Sequence, residues 1–301
     1  MRPTGAAAAG LERPVARRTQ RTAMTQQPTP PSPLRRWTDR AGARIADLVS
    51  RERRRLYCIG TAKSGTHSVA EMFAPPVRSQ HEPDHRHLID VVVDAAEGRL
   101  SEDHVRKWLR SRDRRLMLDV DSSHMNFFIL DALLRAHRRA RFLLTIRDCY
   151  SWLNSMMKHS LRYTHPHPAW GRFREFRFRG DGLVHAPEER ALQEKGLYTI
   201  DGYLAYWAMH NETALRKVPA QRLLVVRTDQ ITARAAEIAS FARLPVHVVQ
   251  TDRSHAFANP DRSSLLDEIP PAFLEERVER HCRKLMSQFF PEIERLADAR
   301  M

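Results

Sequence analysis

One short stretch constrains the fold more than any other: Leu56-Tyr57-Cys58-Ile59-Gly60-Thr61-Ala62-Lys63-Ser64-Gly65-Thr66-His67-Ser68. An apolar run ends in a small, hydroxyl-rich loop with one lysine, and the helix-compatible segment 69–73 follows. A strand, a glycine-bearing turn and a helix start make a phosphate cradle, because backbone N–H groups and the partial positive charge of the helix N-terminus both favour an anion. Gly60 and Gly65 have the separation of a P-loop, but the next two residues are Thr66 and His67 rather than Lys and Ser or Thr. The lysine sits inside the loop, and the hydroxyl that would hold Mg²⁺ is missing. The loop is thus suited to a phosphate-bearing ligand handled without a metal.

A second segment narrows the ligand. Residues 141–146 read as a buried strand with Arg147 at its end, and a helical segment follows from Asp148 to Met157. Arg147 and Ser155 are eight positions apart, a spacing that lets a strand-end arginine and a hydroxyl two turns into the helix meet one phosphate. Ser151, one turn earlier, competes for that arginine. Together the two segments resemble the sulfotransferases that use 3′-phosphoadenosine-5′-phosphosulfate (PAPS). The resemblance runs over most of residues 55–290 and takes in the late unit from Arg222 to Gln230 and the basic run Arg253-Ser254-His255.

The resemblance implies roles. Lys63 would contact the bridging oxygen of PAPS, and Ser64, Gly65, Thr66, His67 and Ser68 would surround the 5′-phosphate. Arg147 and Ser155 would hold the 3′-phosphate, with Arg253 as a further cation. Glu82, shortly after the second strand, stands where heparan-type members carry their general base. Steroid- and phenol-type members place a histidine after the third strand, near His124, and His81 is a third candidate. Two departures stand out: the aromatic that many members stack on adenine is Ser68 here, and the lysine of glycan-type members is replaced near Val120.

Charge at first suggests a nucleic-acid binder, since the 301 residues carry a formal +14. Residues 1–55, however, hold 13 arginines against four acids, so nine of those positive charges lie there. The remainder is mildly basic, which suits an enzyme for a polyanionic nucleotide. No nucleic-acid-binding motif is visible, and no nucleic-acid partner is expected. Cys58, Cys149 and Cys282 have no paired spacing and read as reduced and packed. No apolar run approaches a membrane span, and 6–9 is too short for a signal core. A cytoplasmic enzyme follows as the expectation.

Residues 1–33 read as a disordered basic, proline-rich tail, with Met24 an alternative start, and 34–54 as a basic amphipathic helix covering the sheet edge. From 55 to 301 the expected fold is α/β: a three-layer, P-loop-like domain with a central parallel sheet flanked by helices. Strands are expected at 56–59, 77–81, 116–120, 142–146 and 223–226. Helices are expected at 85–97, 101–111, 124–138, 148–161, 199–217, 229–243 and 271–289. Interleaved aromatics and arginines over 163–178 suggest a lid over an acceptor.

His81, Asp84, His85 and His87 are crowded in sequence, but no matching ligand set accompanies them and no metal is expected. The expected activity is transfer of the sulfuryl group from PAPS to a hydroxyl or amine of a small-molecule, lipid or saccharide acceptor. The alternatives are a P-loop kinase or NTPase and a catalytically silent nucleotide-binding module.

Overall fold

The computed structural model describes residues 55–73, 75, 77–162, 168–178, 184–255 and 265–299. The tail expected over 1–33, the helix expected over 34–54 and the start of the 163–178 segment lie outside them.

Among the described residues, five strands form one parallel sheet: β1 (Leu56–Cys58), β2 (Ser79–His81), β3 (Val120–Ser122), β4 (Arg141–Ile146) and β5 (Leu223–Arg227). Their spatial order is β2-β3-β1-β4-β5. The helices are α1 (Thr66–Glu71), α2 (His85–Ala96), α3 (Glu102–Leu116), α4 (Leu130–Ala136), α5 (Cys149–Arg162), α6 (Pro168–Phe178), α7 (Arg190–Glu194), α8 (Ile200–Lys217), α9 (Ala235–Ala242), α10 (Pro271–His281) and α11 (Arg283–Phe289).

Side chains alternate across a strand, so β1 feeds both faces of the sheet. Leu56 and Cys58 pack with Val69 and Met72 at α1 and with Ile238 and Ala239 of α9. Tyr57 and Ile59 pack on the opposite face with Leu88 of α2, Leu109 of α3 and Ala214 of α8. Helices therefore cover both faces, as a fully buried parallel sheet requires. A third apolar cluster joins α5, α8, α10 and α11 through Trp152, Trp207, Leu274 and Met286.

The order of strands positions the site. From β1 the chain moves out to β2 and returns through β3 on one side, whereas β4 and β5 lie on the other. The crevice between the carboxyl ends of β1 and β4 is where the winding reverses, the place where open α/β sheets bind ligands. The Gly60–Gly65 loop and Arg147 occupy those two ends.

Several element boundaries differ from expectation. The helix expected over 229–243 opens with a 3-10 turn, Thr228–Gln230, and is α-helical only over Ala235–Ala242. The third strand is Val120–Ser122 rather than 116–120, because α3 continues to Leu116 and closes on Met117 in the left-handed region. Its central residue, Asp121, is buried and ion-paired to Arg112 of α3. The helix expected over 124–138 begins as a 3-10 turn, His124–Ile129, before α4. The helix expected over 271–289 breaks at Cys282, whose φ is −117°. Among the described residues, no helix is long and apolar enough to cross a membrane.

Candidate active site

The loop after β1 is held in shape from every side. A Cβ on Gly60 would lie 2.0 Å from Thr145 Oγ1 and 2.5 Å from the Thr145 carbonyl, so only glycine lets the loop leave β1 this close to β4. Gly65, at φ 95°, caps α1 in a conformation that costs other residues energy. Successive carbonyls are drawn outward: Ala62 O accepts from Trp152 Nε1 at 2.8 Å, Lys63 O from Arg147 Nη1 at 3.4 Å, and Ser64 O from Thr228 Oγ1 at 2.7 Å. Peptide units are planar and trans, so a carbonyl drawn out sends the next N–H the other way. Among the described residues, neither the Lys63 nor the Gly65 amide donates to a backbone carbonyl.

Ser64 is engaged within the loop itself. Its amide and its hydroxyl both donate to Thr61 O, at 3.2 and 2.6 Å, and the hydroxyl also meets Thr145 Oγ1 at 3.0 Å. It shapes the loop from below. In α1 the first intrahelical bond runs from Val69 N to Gly65 O, so the amides of Thr66, His67 and Ser68 form the first turn facing out of the helix N-terminus.

Lys63 is half-buried at φ 68°, a strained conformation for a side-chain-bearing residue. Burial first, and then the charges of Arg147 and Arg162, push its ammonium pKa down. Among the described residues, no carboxylate lies within ion-pair distance of it. A cation held among cations at the mouth of an amide-lined loop fits an anionic ligand.

Arg147 leaves the end of β4 and reaches that same loop. Its Nε donates to Ser151 Oγ at 2.9 Å, and its own carbonyl accepts from Trp207 Nε1 at 3.1 Å. Ser151 in turn donates to Asp148, the carboxylate that caps the start of α5 through the Ser151 amide. Ser155 lies one turn beyond Ser151 on the same helix face, half-buried and with no hydroxyl partner among the described residues. The face running from Arg147 past Ser151 to Ser155 is therefore polar and borders the Lys63 loop. Arg253 is exposed and engaged elsewhere, on Glu71 Oε2 at 3.2 Å and Gln250 Oε1 at 3.3 Å.

Strand register explains the remaining cluster. β2 and β3 pair Ser79 with Val120 and His81 with Ser122, and Glu82 N then donates to Ser122 O at 2.9 Å. Glu82 and His124 thus emerge side by side, with Glu82 Oε1 2.8 Å from His124 Nδ1. Glu82 does not serve the N-terminus of α2; Asp84 occupies that position and binds His87 and Arg115. Burial acts to raise the Glu82 pKa, but the charge and hydrogen bond of His124, with help from His81, outweigh it and hold it at about 2.

The His124 ring is 3% exposed, and its Nε2 has no hydrogen-bond partner among the described residues. A carboxylate can only accept, so Nδ1 carries the hydrogen of that contact, and in the neutral form of the ring the lone pair is then on Nε2. His81 Nε2 meets Thr66 Oγ1 at 3.3 Å, and its ring lies 4.5 Å from that of His67. Of the crowded residues His81, Asp84, His85 and His87, Asp84 pairs with His87 at 2.7 Å, and among the described residues no three His, Cys, Asp or Glu side chains are arranged to hold a metal.

Several supporting residues carry no local sequence signature. His210 of α8 reaches across to Ile59 O at 2.7 Å just before the loop, and its Nδ1 accepts from Tyr206 OH at 3.1 Å. Burial holds it neutral, at about 3. His159 of α5 is likewise depressed to about 4, first by burial and then by Lys63, His124 and Arg177. The 163–178 segment, expected as a lid, is in its described part a packed helix with Trp170, Phe173 and Phe178 buried.

The chain is similar to solved bacterial sulfotransferases. One from Alicyclobacillus acidocaldarius is 16% identical, with a TM-score of 0.45, covering 77% of this chain and 96% of that one. One from Mycobacterium tuberculosis is 15% identical, with a TM-score of 0.42 and 80% of each chain covered. The sulfotransferase domain of a Synechococcus olefin synthase is 13% identical, with a TM-score of 0.39, covering 74% of this chain and 86% of that one. No curated protein matches the sequence. At such identities and TM-scores these structural likenesses place no residue. The family model described as a sulfotransferase domain matches residues 55–231, a span holding all five strands, both loops and the Glu82–His124 pair. On that match, the chain belongs to the sulfotransferase family.

Proposed function

We propose that this sulfotransferase takes its sulfuryl group from PAPS and passes it, without a metal, to a hydroxyl or amine of a small-molecule, lipid or saccharide acceptor. The observation that carries the donor assignment is the hydrogen bond from Arg147 Nη1 to Lys63 O at 3.4 Å. It sets two groups able to bind phosphate at one crevice, on strands that a single nucleotide can bridge.

Lys63 and the amides of Gly65, Thr66, His67 and Ser68 hold the 5′-phosphosulfate end, and Ser64 fixes the loop that presents them. Arg147, with Ser151 and Ser155 along one face of α5, holds the 3′-phosphate. PAPS supplies an activated sulfuryl group whose bond to a phosphate oxygen breaks as the acceptor oxygen bonds to sulfur. Lys63 stabilises the electron pair left on that phosphate oxygen, the task a metal performs in kinases.

His124 Nε2 takes the proton of the acceptor hydroxyl, and Glu82 orients the ring and stabilises its charged form. With its pKa held at about 2, Glu82 is a poor base itself and a good counter-ion. Among the three candidate bases the geometry favours His124, because His81 Nε2 is turned to Thr66.

The test is transfer of label from radiolabelled PAPS into a mixture of hydroxyl-bearing metabolites, with EDTA present. Wild type should transfer label and Lys63→Ala should not. Transfer from γ-labelled ATP with Mg²⁺, and none from PAPS, would overturn the proposal.

A further inference from the structure

Three buried arginines show how this chain treats a guanidinium inside the fold. Arg55 is paired to Asp113 at 2.8 Å, and Arg112 is paired to Asp121. Arg177, at the end of α6 and 8% exposed, is different. Among the described residues no carboxylate lies within ion-pair distance of it, and its Nε has no partner. Rings surround it instead: its guanidinium carbon lies 4.3 Å from the centre of Phe173, 4.6 Å from Phe178 and 5.9 Å from Tyr206. The Tyr206 hydroxyl also takes a hydrogen bond from the guanidinium. Aromatic faces and one neutral hydroxyl offset part of the cost of burying a cation, but they leave its charge without a counter-ion and its Nε without an acceptor.

The place of this cation is as informative as its isolation. Phe173 also packs on His124, ring centres 5.8 Å apart, so the guanidinium and the imidazole share one phenyl ring as a neighbour. The charge of Glu82 acts on Arg177, and those of Lys63, His124 and Arg177 all act on His159. Burial pushes the Arg177 pKa down, as expected for a cation still lacking its anion. Glu82, the acid acting on both, is bound to His124.

Resting on the PAPS reading above, we propose that Arg177 binds an oxyanion of the acceptor, so that the acceptor is an acidic hydroxyl compound whose carboxylate, sulfate or phosphate lies at Arg177, beside Phe173, while its reacting hydroxyl lies at His124. A planar guanidinium accepts such a group in a bidentate manner, and a site screened by aromatic walls makes that contact strong. Arg177 then selects the acceptor and sets the distance between its anion and its reacting hydroxyl.

The experiment uses the full chain saturated with 3′,5′-adenosine diphosphate, which fills the donor crevice. Melting temperature is followed as benzoate, phenyl phosphate or neutral benzyl alcohol is added, for wild type, Arg177→Gln and Arg177→Lys. Benzoate or phenyl phosphate should stabilise wild type where benzyl alcohol does not. Arg177→Gln should need roughly tenfold more anion or more for half the shift, and Arg177→Lys an intermediate amount. Both variants should keep the shift given by 3′,5′-adenosine diphosphate, which shows that they fold.

Equal stabilisation by anion and alcohol in wild type overturns the proposal, as does an anion response unchanged in both variants. If Arg177→Gln does not fold, Arg177→Lys carries the comparison. Failure of 3′,5′-adenosine diphosphate to stabilise wild type would instead refute the donor reading, whatever the anions do.

Discussion

Lys63 and His124 are the two residues whose surroundings make least sense without a ligand. The first is a half-buried ammonium at positive φ among other cations; the second is a buried ring with one nitrogen satisfied and the other bare. Replacing Lys63 by alanine removes the charge that stabilises the leaving oxygen, and kcat should fall by roughly 10²- to 10³-fold, measured by single-turnover transfer from PAPS. Replacing Glu82 by glutamine keeps an oxygen for His124 Nδ1 but deletes the counter-charge. Here kcat should fall by about tenfold or more while KM for PAPS stays within about twofold of wild type. A rise in KM with kcat intact would instead make Glu82 a donor-binding residue. Glu82 and His124 were both visible in the sequence as candidates. Their pairing was not, because it follows from the β2–β3 register and from the end of β3 at Ser122, which no local pattern specifies.

At the scale of elements, apolar runs at β1 and β4 read directly as strands because both faces of a central parallel strand are buried, and β5, half-buried at the sheet edge, still shows an apolar run. β3 did not read as directly, since its central Asp121 looks like a surface residue until Arg112 of α3 is known to neutralise it. Arg112 also donates to Pro83 O at 2.7 Å, which ties the segment carrying Glu82 to α3. Arg112→Ala should cost about 3–5 kcal/mol of unfolding free energy by leaving Asp121 buried without its partner, measured by urea denaturation. The loop after β1 was legible as a phosphate cradle from its glycines and lysine. Its bracing was hidden, because Trp152, Thr228 and His210 come from three distant elements. Gly60→Ala should push the loop off β4 and cost at least ~1–3 kcal/mol, with binding of 3′,5′-adenosine diphosphate weakened in parallel.

Across the whole molecule, the site concentrates buried bases and cations around few acids. His81, His159 and His210 are held neutral at about 4, 4 and 3, below their ordinary 6.5. The unfolded chain therefore binds more protons than the folded one between those values. Stability from this source is complete above about pH 6.5 and is lost as pH falls toward 4, by up to about 1.4 kcal/mol per pH unit for each histidine. Glu82, held at about 2 against an ordinary 4.5, adds a further loss only below about pH 4.5. The urea midpoint should accordingly drop between pH 7 and pH 5; a flat or rising midpoint would contradict the burial of these rings. The central claim concerns the crevice between β1 and β4, and thermal shift with 3′,5′-adenosine diphosphate against ATP–Mg²⁺ tests it most directly. Wild type should be stabilised by 3′,5′-adenosine diphosphate with EDTA present and much less by ATP–Mg²⁺, and Arg147→Ala should lose most of that response. Equal stabilisation by the two nucleotides, or an undiminished response in Arg147→Ala, would contradict it.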